Sequence, residues 1–165
     1  MTSGLRRLLT ASLPPLRTAV LGSAAWAIVI GGSAGVELVR SDAAAGERLT
    51  LICAIYAAGA LVAFAPALFV GRLLSRGRSE AAFAATLLAL SVGTIGAVGL
   101  LFAVDYRLYY AQWHEPAFSP DWVRQFIFTT AAAFYQYLVI GLRLYVPVGL
   151  VALFAASLWN ARATR

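Results

Sequence analysis

Three stretches of this chain, Thr18 to Val36, Leu49 to Val70 and Ala81 to Val104, contain no charged residue. Wound as an α-helix at 1.5 Å per residue, each comes close to the roughly 20 residues needed to cross the hydrocarbon slab of a bilayer. Within lipid no water is present to satisfy a backbone N–H or C=O. A segment that enters alone must therefore pair these groups with itself, and for an apolar run that means a helix. A fourth apolar stretch begins at Ser119-Pro120-Asp121 and runs to Asn160. As one straight helix it would reach about 60 Å, twice the slab thickness. Such a segment either bends, at Gly141 or Pro147, with its first part outside or along the surface, or folds into a hairpin near Arg143. The bent form is expected, because a hairpin would carry Arg162 and Arg165 to the opposite side from the other inner arginines.

Composition agrees with this reading. The chain is 61% hydrophobic and 12% charged, against about 45–50% and about 25% in soluble domains. Four crossings in 165 residues leave no room for a separate soluble domain. The expected fold is thus all-α, an integral membrane four-helix bundle with a long bent fourth helix. It forms one domain over residues 1–165, with spans near 18–36, 49–70, 81–104 and 122–159, the latter part of the last crossing the bilayer.

The basic residues are all arginine, 13 of them, which together with abundant Ala, Gly and Leu points to a GC-rich bacterial source. The net charge of +6 would indicate nucleic acid in a soluble protein. Here the arginines sit at helix ends, so orientation accounts for them and no nucleic-acid partner is expected. Arg6, Arg7, Arg17, Arg72, Arg76, Arg78, Arg162 and Arg165 would share one side, and Arg40, Arg48, Arg107 and Arg124 the other. The positive-inside rule then places both termini in the cytoplasm, in an inner membrane. Arg6-Arg7 ahead of the first run also fits an export signal, but that run is nearer span length than a short signal core, and no clean A-x-A site follows it.

No phosphate-binding loop, zincin, hydrolase-elbow or C-x-x-C motif is present. One cysteine, Cys53, rules out an intrachain disulfide, and one histidine, His114, rules out paired axial haem ligands. No catalytic residue, metal or cofactor is expected. The residues that stand out are polar ones in the fourth segment. On a continuous helix Asp121, Gln125, Thr129, Gln136 and Arg143 fall within an arc of about 80°. Three readings of this stripe are open: it lines a polar cavity with Arg143 meeting an anion; it makes interhelical hydrogen bonds while Arg143 snorkels toward headgroups; or it turns to water from an interfacial helix. A central arginine costs about 2.5–3.5 kcal/mol, so something must answer its charge. No carboxylate lies deep in the first three runs, leaving a backbone carbonyl, a lipid phosphate or another protein.

The loop before the fourth segment carries Tyr106, Tyr109, Tyr110, Trp113, Phe118 and Trp122, rings that favour the headgroup level. His114 and Glu115 lie among them, half of an acid–base pair or metal site without the other half. Small residues at i, i+4 spacing, Gly31 with Gly35 and Ala89, Gly93 with Ala97, form grooves that admit a neighbouring backbone. The favoured function is a non-enzymatic scaffold or accessory subunit whose partners are the lipid bilayer and another membrane protein or a second copy. The alternatives are a small transporter or channel component using the stripe, and a membrane enzyme using the outer loop. Candidate binding residues are Arg143, Gln136, Thr129, Gln125, His114 and Glu115.

Overall fold

A computed structural model describes residues 2–43, 46–75 and 77–163, with the side chains of residues 2–5 and 7 left aside. Arg76 and Arg165, two of the arginines used above for orientation, lie outside the described residues. Those residues form six α-helices: α1 (Thr2–Ser12), α2 (Leu16–Arg40), α3 (Gly46–Ser75), α4 (Ser79–Tyr110), α5 (Pro120–Ile140) and α6 (Val148–Ala163). Two 3₁₀ turns join them, Ala111–Trp113 and Gly141–Tyr145. Pro14-Pro15 separates α1 from α2, since a proline in a helix interior removes a donor and clashes with the preceding turn. The turn from α3 into α4 runs through Gly77 at φ 79°, a conformation that costs glycine little.

The three charge-free runs lie within α2, α3 and α4, which follow one another up, down and up. α3 packs between α2 and α4, and α5 and α6 lie along α4. The core is drawn from all of them: Trp26 and Ile30, Tyr56 and Leu68, Leu90 and Val98, Tyr137 and Leu144. The outward faces are aliphatic too, with Ile28 75% and Val92 69% exposed. Helices of this length and apolarity, greasy on both faces, are those of a membrane protein.

Small residues let these helices close on one another. Gly31 and Gly35 face Cys53 and Ala57 of α3, and Gly93 faces Ala63 and Ala67. At Gly31, Gly35 and Gly93 the grooves are therefore filled by the chain's own helices. Polar links between distant segments add to the packing. The indole N–H of Trp26 donates to Thr94 Oγ1 at 3.0 Å, buried between α2 and α4. Trp26→Phe is expected to cost about 1 kcal/mol. Thr94→Val should cost a similar amount and add little to it in the double variant, checked by reversible unfolding in mixed micelles.

The fourth segment is broken rather than smoothly curved. Ser119 caps α5 by accepting the N–H of Trp122 at 3.1 Å, with Pro120 in the first turn, as the order Ser-Pro-Asp leads one to expect. The α-helix then stops at Ile140. Gly141 is a poor helix former, and Pro147 cannot donate to the carbonyl of Arg143, so the chain tightens into a 3₁₀ turn and restarts at Val148. The groups freed by the break lie among apolar side chains and are taken up from neighbouring helices. Tyr56 Oη donates to Gly141 O at 2.7 Å. Ser33 Oγ donates to Leu144 O at 2.9 Å and accepts the Gly149 N–H at 3.3 Å. This is how lipid-buried helices tolerate an interruption.

Despite the break the segment keeps one direction. Tyr137 sits beside Gly99 and Phe102, Phe154 beside Phe83, and Asn160 beside Thr86, so the path runs antiparallel to α4 throughout. It is a broken rod, not a hairpin. Consequently α1, the last turn of α3 and the end of α6 share one end of the bundle, where Leu8, Ser12, Arg72, Ser75 and Ala163 border a common cavity. At the opposite end α5 overshoots. From the level of Tyr137 it extends to Pro120 while α4 ends at Tyr110, so α5 projects beyond its neighbour by about 10 Å.

Candidate functional site

The six candidate residues divide into two places at that opposite end. The first is the cap made by the loop after α4 and the N-terminal half of α5, with Gln136 lower on the same helix. Gln125 Oε1 accepts the backbone N–H of Glu115 at 2.9 Å. Thr129 donates to the carbonyl of Gln125, and its hydroxyl lies 3.3 Å from His114 Nε2. Gln136 Nε2 donates to Tyr106 Oη at 3.3 Å. The stripe is therefore engaged within the chain, by the loop at Gln125 and Thr129 and by α4 at Gln136, and it presents no row of free polar groups.

Arg107 strengthens this cap. Its guanidinium lies 3.8 Å from the ring centre of Phe126 and 5.6 Å from that of Trp122, a cation–π contact of α4 with two rings of α5. Arg107 Nη1 and His114 Nδ1 are buried without a hydrogen-bond partner among the described residues. Tyr106, Tyr110 and Trp113 stack onward at 4.7 and 5.8 Å between ring centres, and Phe118, Trp122 and Phe126 form a second row at 5.3 Å steps. Glu115 is exposed, and the imidazole's hydrogen-bonding neighbour among the described residues is Thr129. No group of three or more His, Cys, Asp or Glu that could hold a metal occurs among the described residues.

Arg143 belongs to a second place, and here the sequence reading needs correction. The arc of about 80° assumed a continuous helix, but the register ends at Ile140 and Arg143 sits in the 3₁₀ turn. It is not embedded at the centre of a rod. Its side chain is exposed and reaches the rim, lining a groove of about 260 Å³ with Arg48, Gln136, Tyr56 and Tyr137. A carboxylate also lies within electrostatic range. Glu37, near the end of α2, is 7% exposed and feels the charge of Arg143. Its two oxygens are already taken by Arg40, at 2.8 and 2.9 Å, which leaves Arg143 outside the ion pair.

Sequence reasoning missed Arg48, Glu37, Ser33 and Tyr56. A signal for the last two existed: Gly141 and Pro147 announce freed carbonyls, and a hydroxyl within an apolar run is the means of satisfying them. Tyr137 and Tyr145, whose hydroxyls lie 2.7 Å apart, complete a tyrosine cluster beneath the groove, with Tyr56 and Tyr145 ring centres 5.1 Å apart. The chain matches no protein-family model, no curated protein and no solved structure.

Proposed function

We propose that this chain is a non-enzymatic, multi-pass protein of a bacterial inner membrane, with both termini cytoplasmic, serving as an accessory subunit of a membrane complex. The observation that carries the reading is the unpartnered back of α5. Its polar residues turn toward the chain itself, while Val123, 43% exposed on the projecting turns, heads a face that continues down beside α4 through Ile127, Phe128 and Tyr135 at 58%, 73% and 69%. Lipid covers the lower part of such a face, but its upper turns, from Phe128 to Val123, need protein. The small-residue grooves, filled internally, no longer supply that surface. The engaged stripe weighs against a water-lined transport path, and the separation of Glu115 from His114 Nε2 weighs against outer-loop catalysis.

The test is photo-crosslinking in cells from a benzophenone amino acid at Phe128, with the same probe at Leu88 on the lipid face of α4 as reference, followed by native mass measurement after mild extraction. A discrete adduct of fixed stoichiometry from position 128 and none from 88 is expected. An adduct of twice the chain's 17.5 kDa would identify the partner as a second copy. Equal labelling at both positions, together with a lone monomer in the native spectrum, would remove the reading.

A further inference from the structure

The groove that holds Arg143 has the construction of a receptor for an amphiphile. Its walls are apolar, formed by Leu38, Ile52, Phe102, Ile140 and Leu144, while the only charged residues lining it are Arg48 and Arg143. Neither arginine is in an ion pair among the described residues. The nearby acids are engaged elsewhere or turned away: Glu37 is held by Arg40, and Asp42 and Glu47 do not line the groove. Two cations thus line a largely apolar slot. A guanidinium can receive a pair of phosphate oxygens bidentately, and a basic pocket between membrane helices is an arrangement that retains anionic headgroups.

We propose that this groove binds an anionic diacyl phospholipid, the phosphate received between Arg48 and Arg143 and an acyl chain lying along Ile52, Phe102 and Ile140. The lipid supplies the counter-charge that Arg143 lacks within the chain. It also fills the space between α5 and the α2–α3 pair, so it braces the 3₁₀ break from outside. The inference does not rest on the accessory-subunit reading, because lipid retention requires no protein partner.

Full-length protein reconstituted in nanodiscs containing equal amounts of phosphatidylglycerol and phosphatidylcholine is extracted gently, and the retained lipid is identified by native mass spectrometry. The wild type should retain phosphatidylglycerol over phosphatidylcholine about 25-fold, and Arg48→Gln and Arg143→Gln should each cut the enrichment by about fivefold. Arg124→Gln, at an exposed ion pair on α5, should change nothing. The double lysine variant should keep most of the enrichment, which separates loss of charge from loss of fold. Equal retention of the two lipids, an unchanged preference in the double glutamine variant, or equal loss in the lysine and glutamine pairs would overturn the proposal. Displacement by millimolar inorganic phosphate would overturn it as well, since the site would then take the free anion without the chain.

Discussion

Gly59→Val is expected to leave almost no monodisperse protein after extraction, while Gly96→Val at the same depth of the bundle behaves like the wild type. The two glycines differ in what a side chain would meet. A Cβ at position 59 would lie 2.4 Å from Val98 Cγ2 and, more seriously, 2.7 and 2.8 Å from the backbone N and Cα of Val98. The methyl can rotate away, but the backbone cannot, so α3 and α4 must separate along their whole contact. Ordinary overpacking costs about 1–3 kcal/mol. A clash with main chain at the pair of helices in most extensive contact belongs at or above the top of that range, out of a total stability of about 5–15 kcal/mol. At position 96 nothing lies within 4 Å, and the substituent would meet only lipid. Size-exclusion profiles of the two variants, purified side by side, make the comparison. If Gly59→Val elutes as a sharp wild-type peak, the α3–α4 contact is not what holds the bundle together.

The same contact explains which features could be read before the coordinates. Lipid excludes charge, so the runs from Thr18, Leu49 and Ala81 announce themselves one residue at a time, with no knowledge of neighbours. Their ends are equally local, at Arg40 and at Gly77. The partnerships that align the helices are not local. Trp26 with Thr94, Tyr56 with Gly141 and Ser33 with Leu144 join residues 68, 85 and 111 positions apart, and a single sequence holds no periodicity that encodes them. The candidate site failed at one identifiable step. The stripe from Gln125 to Gln136 keeps its register because α5 is unbroken there. Extending it to Arg143 carried a helical angle across Gly141, the residue most able to end the helix. Arg143 remained of interest for a different reason, its place above an apolar groove beside Arg48.

Replacing Asn160 should have the second-largest effect on the fold, at the end of the bundle opposite the groove. Its side chain is fully buried and uses both halves of the amide. Nδ2 donates to Thr86 Oγ1 at 2.8 Å, and Oδ1 accepts from Arg72 Nε at 3.2 Å. One side chain of α6 therefore ties down both α4 and α3. The amide donates to one helix with its nitrogen and accepts from the other with its oxygen, which no aliphatic side chain can do. Asn160→Ala deprives two polar groups of this partner in a desolvated place, and a cost of about 2–3 kcal/mol follows. Asn160→Leu should be no better, because added apolar volume does not answer Arg72. Asn160→Asp should recover much of the loss: its carboxylate receives Arg72 with a charge-assisted bond, and the Thr86 hydroxyl can turn to donate. The loss is expected to be local before it is global, since α6 is short and its end is held mainly here. Protease accessibility of the C-terminal turns should rise in the alanine and leucine variants ahead of any change in the unfolding of α3 and α4. A wild-type cleavage pattern in Asn160→Ala, with unfolding unchanged to within about 0.5 kcal/mol, would mean that α6 is held in place by its apolar contacts alone.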